Sequence, residues 1–531
     1  MSPSPDINQS EATTLPMWRE FVFLLAFSVF HFTACFAQSA DKPLWLDELF
    51  TFHIASSPTA TGVITALKTG AETHPPATYL LGHYLIPILG DANGIRFSAM
   101  VGYWVMAVCL YVVVSRAYNF LSGILAMLLP YLTGTFFYAY EGRAYGILLG
   151  CAGLTFLAWS QTQRPKCGSI WYFVIPVCIA VAIWSHFYAV LVGVPLILGE
   201  VAVIFFTRKV RYSVWISLLA GYTALIPLAG LIRAIRTNVQ ADRGSVGYWL
   251  DFAVVSEALL QHLWAVAILA CVFIVTHATL AQAPRPNKST TEADVPGFNK
   301  AQLVVGISFS LMPVWVQVLC SIVSGFYLPR HAILVVFGIS LLVVPALWSI
   351  GRPNKSILMV IIAACTLLWV AEQARVLKHL FLSKATLLVR QNVLPQIELP
   401  GTLPVVVQDA RLELKWLYYA PPSLCKRLRY LGSPELGLAY TGSSVMDRAM
   451  LGLNRITPVQ VERYEDFIML HPKFLAYFDA APTEEGEGGW LIRKLIDSNA
   501  KLQVLAHKGS QFLYLVNLGS PNEIASDYLH Q

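Results

Sequence analysis

The sequence predicts a polytopic α-helical membrane protein that carries an exterior C-terminal α/β domain, and three observations support this. Only 13% of the residues are charged and 56% are hydrophobic, whereas a soluble globular chain carries about 25% charged residues. The apolar residues gather into runs of roughly 17–25, the length that crosses a hydrocarbon core as a helix. Beyond about residue 380 the pattern changes to short β-branched strands alternating with amphipathic helical stretches. A mean hydropathy of +0.58 agrees.

About eleven candidate spans meet the length criterion, at 19–37, 94–114, 119–139, 144–162, 169–185, 187–206, 212–232, 256–279, 301–323, 331–350 and 356–373. The polar segment 1–18 reads as a cytoplasmic tail without a basic n-region. The first apolar run lacks a small-residue cleavage site, so it is expected to be retained. With the N-terminus cytoplasmic, the connections on that side carry Arg116, then Arg164 and Lys166, then Arg208, Lys209 and Arg211. The next two carry Arg285, Lys288 and Lys300, then Arg352 and Lys355. Each is basic, as the positive-inside rule asks. An odd number of spans then puts the loop 38–93 and the C-terminal region outside. The expected organisation is a tail (1–18), a transmembrane domain (19–375) and an exterior, periplasmic α/β domain (376–531) on a cell inner (plasma) membrane.

Within the C-terminal region, 403–408 (LPVVVQ) reads as a strand followed by a helix over 411–419. A second strand at 473–478 precedes a helix over 490–497. The segments 502–506 and 512–517 form a hairpin around Gly509. Alternation of this kind predicts a small doubly wound or mixed sheet. It contains neither a Gly-rich phosphate loop nor a nucleophile elbow. The net charge of +6 is scattered between apolar runs, so no nucleic-acid partner is expected. Of the nine cysteines only Cys425 lies in the polar C-terminal third, and their spacing suggests neither a disulfide framework nor a zinc site.

The residues that could carry chemistry lie at the expected exterior level. Asp47 and Glu48 follow an aromatic, apolar stretch containing Trp45. Partial burial there suits a general base, and the bland alternative is a solvated acidic pair at a helix N-terminus. The segment 73–81 (THPPATYLL) places His74 before two prolines and Tyr79 in a helix at the membrane interface. His74 could face a phosphate, or merely cap the turn. Arg96, Arg143 (followed by Tyr145) and Arg330 (followed by His331) each begin a span. A single arginine there often just snorkels. Several converging on one acidic pair read as a site for a phosphorylated headgroup, because guanidinium groups grip phosphate bidentately.

The order of these motifs, WLDE, HPPATYLL, an Arg-x-x-Ser opening the second span, EGRAYGILL and YLPRHAIL, resembles the GT-C glycosyltransferases of the protein-mannosyltransferase and aminoarabinose-transferase type. The resemblance implies an integral membrane enzyme that takes a sugar from a polyprenyl-phosphate-linked donor in the bilayer. The acceptor would be a glycan, a lipid or a protein. It implies Asp47 as the base that deprotonates the acceptor and Glu48 as its acidic neighbour. His74, Arg96, Arg143 and Arg330 would serve the donor phosphate. Trp45, Tyr79, Tyr145 and His331 would be substrate contacts. His331 replaces the tyrosine that usually follows the late arginine, and Gly142 and Ala144 replace more usual neighbours of Arg143. No cofactor is required, although a carboxylate pair is compatible with a divalent cation. Two rivals stay open on sequence: a lipid-linked-sugar transporter or flippase, which would place charges at mid-membrane in both halves, and a non-catalytic membrane glycan sensor, which leaves Asp47 unexplained.

Overall fold

A computed structural model describes residues 17–240, 251–260, 297–323, 327–350, 355–383, 397–454, 457, 459–478 and 489–519. In chain order the helices of the first part are α1 Met17–Asp41, α2 Leu46–Ala55, α3 Ala60–Lys68, α4 Ala77–Leu89, α5 Asp91–Ala117, α6 Phe120–Leu128, α7 Tyr145–Gln161, α8 Ile170–Ser185, α9 Gly193–Thr207, α10 Tyr212–Tyr222, α11 Ala229–Gln240, α12 Phe252–Leu260, α13 Lys300–Ser310, α14 Met312–Val323, α15 Val335–Ile350 and α16 Lys355–Ser383. They follow the expected spans closely. The span expected at 256–279 falls mostly outside the described residues.

Among the described residues four helical stretches are long and apolar enough to cross a bilayer alone: Met17–Asp41, Asp91–Ala117, Phe187–Thr207 and Lys355–Phe381. Two bent pairs, α10 with α11 at 54° and α13 with α14 at 60°, bring that to six. The predicted span 119–139 is broken: α6 gives way to short 3-10 turns at Leu129–Leu132 and Gly134–Ala139, with Pro130 and Gly134 interrupting regular helix. Together these features describe a multi-pass membrane protein. Its lipid-facing surface includes Phe21, Leu25 and Val29 on α1 and Phe205 on α9, all exposed.

The bundle centres on α5, which packs against α4, α6 and α7. Its contact with α7 runs over glycines. A Cβ on Gly102 would lie 2.3 Å from the Gly146 carbonyl oxygen, and one on Gly150 would lie 2.5 Å from that of Gly102. Small residues at this seam let two backbones touch, the device that packs helices in lipid. The seam matters for function because α7 starts at the acidic site and carries Arg143 just ahead of it.

The loop 38–93 contains α2, α3 and α4, the last being the interfacial helix expected after His74. The C-terminal part is a six-stranded mixed sheet in the order β3-β2-β1-β4-β6-β5, with β1 Val405–Val407, β2 Leu428–Gly432, β3 Val461–Arg463, β4 Lys473–Phe478, β5 Lys501–Lys508 and β6 Gln511–Asn517. Strands β1 to β4 run parallel, and β6 pairs antiparallel with β4 and β5. All three valines of β1 are buried, as a strand covered on both faces requires. The unread strands carry little apolar pattern: β2 is Leu-Arg-Tyr-Leu-Gly and β3 is Val-Glu-Arg.

This sheet domain sits on the helices of loop 38–93. The Leu44 amide donates to the Tyr419 hydroxyl at 2.9 Å, and the Tyr418 hydroxyl donates to Asp91 at 3.1 Å. Gly452 meets Ala71 so closely that a Cβ would lie 2.7 Å from the Ala71 nitrogen. The domain thereby lies beside the end of the bundle that carries Asp47.

Candidate active site

Asp47 and Glu48 occupy the first turn of α2, so the helix-terminus reading of this pair is correct as far as position goes. Neighbouring helical residues point about 100° apart, and the two carboxylates therefore face different surroundings. Glu48 turns into the bundle and is fully buried. Arg96 grips it bidentately, Nε to Oε1 at 2.7 Å and Nη2 to Oε2 at 2.7 Å, while the Gly142 amide donates to Oε1 at 2.8 Å. The Lys42 ammonium stands 3.3 Å away. Burial alone would raise the Glu48 pKa, but the hydrogen bonds and charge of Arg96 overturn this and hold it below the usual carboxylate value.

Asp47 turns the other way, into a cluster of cations. Its Oδ2 lies 3.2 Å from Arg330 Nη1 and 3.9 Å from Arg143 Nε. Despite these distances, Asp47 Oδ2 and Arg330 Nε are buried atoms without a hydrogen bond of good geometry. Thr51, one helical turn on, donates to the Asp47 carbonyl at 2.9 Å and fixes the turn.

Arg143, 5% exposed, ties the site together. Its Nη1 donates to Glu72 Oε2 at 2.9 Å and reaches the Asp47 carbonyl at 3.3 Å; its Nη2 lies 3.2 Å from His74 Nδ1. Glu72 Oε1 is 3.0 Å from His74 Nδ1. Burial opposes ionisation of Glu72, yet the Arg143 charge and His74 hold its pKa well below the ordinary value. Glu72 carries no signal in the sequence: one carboxylate in a polar loop forms no motif. The available signal was charge balance, since Asp47 alone cannot neutralise two inward arginines.

The remaining wall comes from three other elements. His331 stacks on Tyr188 with ring centroids 4.3 Å apart, and His186 lies 5.5 Å from His331 and 5.0 Å from His74. Burial and the surrounding cations push the His186 pKa well down, so this ring is neutral. The Tyr145 hydroxyl is buried without a hydrogen-bond partner. A small cavity of about 10 Å³, bordered by Thr51, His74, Thr78, Tyr79, Arg143 and Ser185, opens against Arg143. It has room for about one water molecule.

The structure thus brings Asp47, His74, Arg143 and Arg330 together, with Tyr79, Tyr145 and His331 around them. Arg96 it does not. Fully buried, with its guanidinium spent on Glu48 and on the Ser39 carbonyl at 2.7 Å, it is a structural partner rather than a phosphate ligand. Glu48 is revised likewise: no face of it is open to a substrate, and it acts by holding α2, α5 and the Gly142 turn together. Among the described residues no group of three or more His, Cys, Asp or Glu side chains is arranged to hold a metal ion.

Trp45 reaches the site through Glu141. Its indole N–H donates to Glu141 Oε1 at 2.8 Å, while the buried Oε2 has no partner. Burial pushes the Glu141 pKa up to about 7. A carboxyl whose pKa is higher folded than unfolded lends stability that is complete below pH 4.5 and lost as pH rises to 7. The loss is on the order of 3 kcal/mol. Glu141→Gln, which keeps the acceptor for Trp45, is therefore expected to raise thermal stability at pH 8 and leave it unchanged at pH 4.5. Melting curves of the purified variant check this; equal gains at both pH values would contradict it.

No family model matches the sequence, and no curated protein matches it either. Solved structures do. ArnT from Cupriavidus metallidurans bound to undecaprenyl phosphate superposes with a TM-score of 0.56 at 12% identity, covering 94% of this chain and 98% of that one. The same enzyme in its apo state gives 0.56 at 11% identity with the same coverage. Near-complete coverage of both chains means that the likeness extends over the helical part and the sheet alike. This chain has the fold of ArnT.

Proposed function

We propose that this protein transfers a sugar from a polyprenyl-phosphate donor to an acceptor hydroxyl on the exterior face of the membrane. The observation that carries the reading is Asp47 facing Arg143 and Arg330, with Asp47 Oδ2 and Arg330 Nε both buried and without a well-formed hydrogen bond. Buried polar atoms of this kind call for a partner. A phosphate between Arg330, Arg143 and His74 supplies acceptors for the arginines and competes with Asp47 for them. Donor binding would then release the Asp47 carboxylate to act as a base.

The chemistry balances in one displacement. Asp47 takes the proton of the acceptor hydroxyl, the acceptor oxygen bonds to the anomeric carbon, and the bond from that carbon to the phosphate oxygen breaks. Polyprenyl phosphate leaves as an anion, whose developing charge Arg330 and Arg143 stabilise from fixed positions. One base and no enzyme nucleophile give inversion at the anomeric carbon. Neutral His186 and the ring stack of His331 on Tyr188 line the sugar's side of the site. ArnT was solved with undecaprenyl phosphate bound, which agrees with a lipid phosphate as the donor's leaving group.

A transporter reading has no specific observation in its favour, because the charges that converge on Asp47 sit at an end of the bundle rather than at mid-membrane. The donor site is tested by binding. Arg330→Met and Arg143→Met are each expected to weaken undecaprenyl phosphate binding roughly ten- to hundredfold, the worth of a hydrogen bond to a charged group. Ligand-induced thermal stabilisation of the purified protein measures this. Undiminished stabilisation in both variants would remove the arginines from the donor site.

A further inference from the structure

A second cavity among the described residues lies elsewhere. It measures about 610 Å³ and is lined by Gln163, Val203, Phe206, Lys209, Arg211 and Lys300, where α7 and α9 end and α13 begins. Helix α7 starts next to Arg143 and ends at this cavity. Its 17 residues separate the two places by about 25 Å at 1.5 Å per residue, so the cavity is no part of the acidic site.

Three cations, Arg211, Lys209 and Lys300, line this cavity, and one of them is paired with a buried anion. Glu200, fully buried on α9, accepts from the Trp159 indole at 2.6 Å and from Arg211 Nε at 3.2 Å, and Arg211 Nη1 donates to Thr162 at 3.2 Å. This network fixes the Arg211 guanidinium at the cavity wall and uses up one positive charge. Lys209 and Lys300 are exposed and leave a net excess of two. Two further features add to it. The start of α13 is closed by a capping box between Asn299 and Gln302, and the positive end of the helix dipole lies there. Gln163 accepts from Asn299 at 2.7 Å, while its own side-chain amide nitrogen is buried and unpartnered.

The other wall is apolar and continues onto the membrane surface of the protein. Lys300 stands 5.0 Å over the Phe206 ring. Val201, Phe205 and Phe206 are 51%, 63% and 49% exposed along the stretch Phe187–Thr207, which is long and apolar enough to span a bilayer. A soluble anion gains nothing from that wall. A molecule with an anionic phosphodiester head and long acyl chains uses both halves.

We propose that this cavity binds the headgroup of an anionic membrane phospholipid, its phosphate between Lys209, Lys300 and Arg211 and its acyl chains along Val203 and Phe206. Basic recesses between spanning helices, each lysine contributing at the membrane surface, suit such headgroups. The experiment uses the full-length protein, purified and exposed to vesicles of phosphatidylglycerol or of phosphatidylcholine, with retained lipid counted by native mass spectrometry. Wild type is expected to retain phosphatidylglycerol in preference to phosphatidylcholine. The double variant Lys209→Gln/Lys300→Gln is expected to retain about tenfold less, and Lys209→Arg/Lys300→Arg to retain it as wild type does. Phe206→Ala separates head from chain by lowering retention with both lysines present. Equal retention by the Gln and Arg double variants overturns the proposal. So does displacement of phosphatidylglycerol from wild type by millimolar inorganic phosphate, which would make this a site for small anions.

Discussion

Asp47→Asn is expected to lower the rate of sugar transfer by roughly a hundred- to ten-thousandfold, the range a positioned general base contributes. The amide keeps the size and one acceptor oxygen of the carboxylate but cannot take a proton at neutral pH. The protein should still fold, because the principal buried ion pair of α2 belongs to Glu48 rather than Asp47. Donor binding should not weaken. Asparagine leaves Arg330 and Arg143 without their competing carboxylate at 3.2 and 3.9 Å, so the phosphate meets less competition. Initial rates with a polyprenyl-phosphate sugar, set beside the binding measurement, separate the two effects. A kcat within threefold of wild type would show that Asp47 is not the base.

The second large effect is on folding. Arg96→Met is expected to destabilise the protein by about 3–5 kcal/mol, the cost of leaving one member of a buried ion pair alone. Glu48 would stay at zero exposure, with Lys42 at 3.3 Å as its sole remaining cation and the Gly142 amide still donating. Adding Glu48→Gln removes the stranded charge and should recover part of the loss, since residues in one network couple rather than add. The yield of folded, detergent-stable protein for the two single variants and the double variant makes the test. Full stability of Arg96→Met would return Arg96 to the list of ligand-binding residues.

The contrast between these two residues shows what the sequence could and could not display. Arg96 and Arg143 look alike in the chain, each an arginine at the start of an apolar run. The difference is which way α2 turns its two acidic side chains, a matter of helix phase that becomes visible only with α2, α5 and α7 in place. Asp47, His74, Arg143 and Arg330 were legible because chemistry needs those residue types at one membrane level, and charge alternation between spans set that level. Glu72 and Glu141 were not, being single acids whose meaning comes from partners 71 and 96 residues away. The sheet shows the same division. Its apolar strands β1 and β4 and the hairpin at Gly509, which has a positive φ of 61°, are written in local pattern. Three-residue β3 is held by pairing to β2, and local pattern carries no trace of that.

The central claim is that Asp47 drives transfer of a lipid-linked sugar onto an envelope glycan, lipid or protein. Intact-glycan mass spectrometry tests it most directly, on cells lacking this protein and complemented with either wild type or Asp47→Asn at equal membrane abundance. Cells lacking the protein are expected to be missing one sugar from one class of molecule and to accumulate the matching polyprenyl-phosphate sugar. Wild type should restore the first and clear the second, while Asp47→Asn should do neither. Restoration of the missing sugar by Asp47→Asn, or no missing sugar at all, would contradict the assignment.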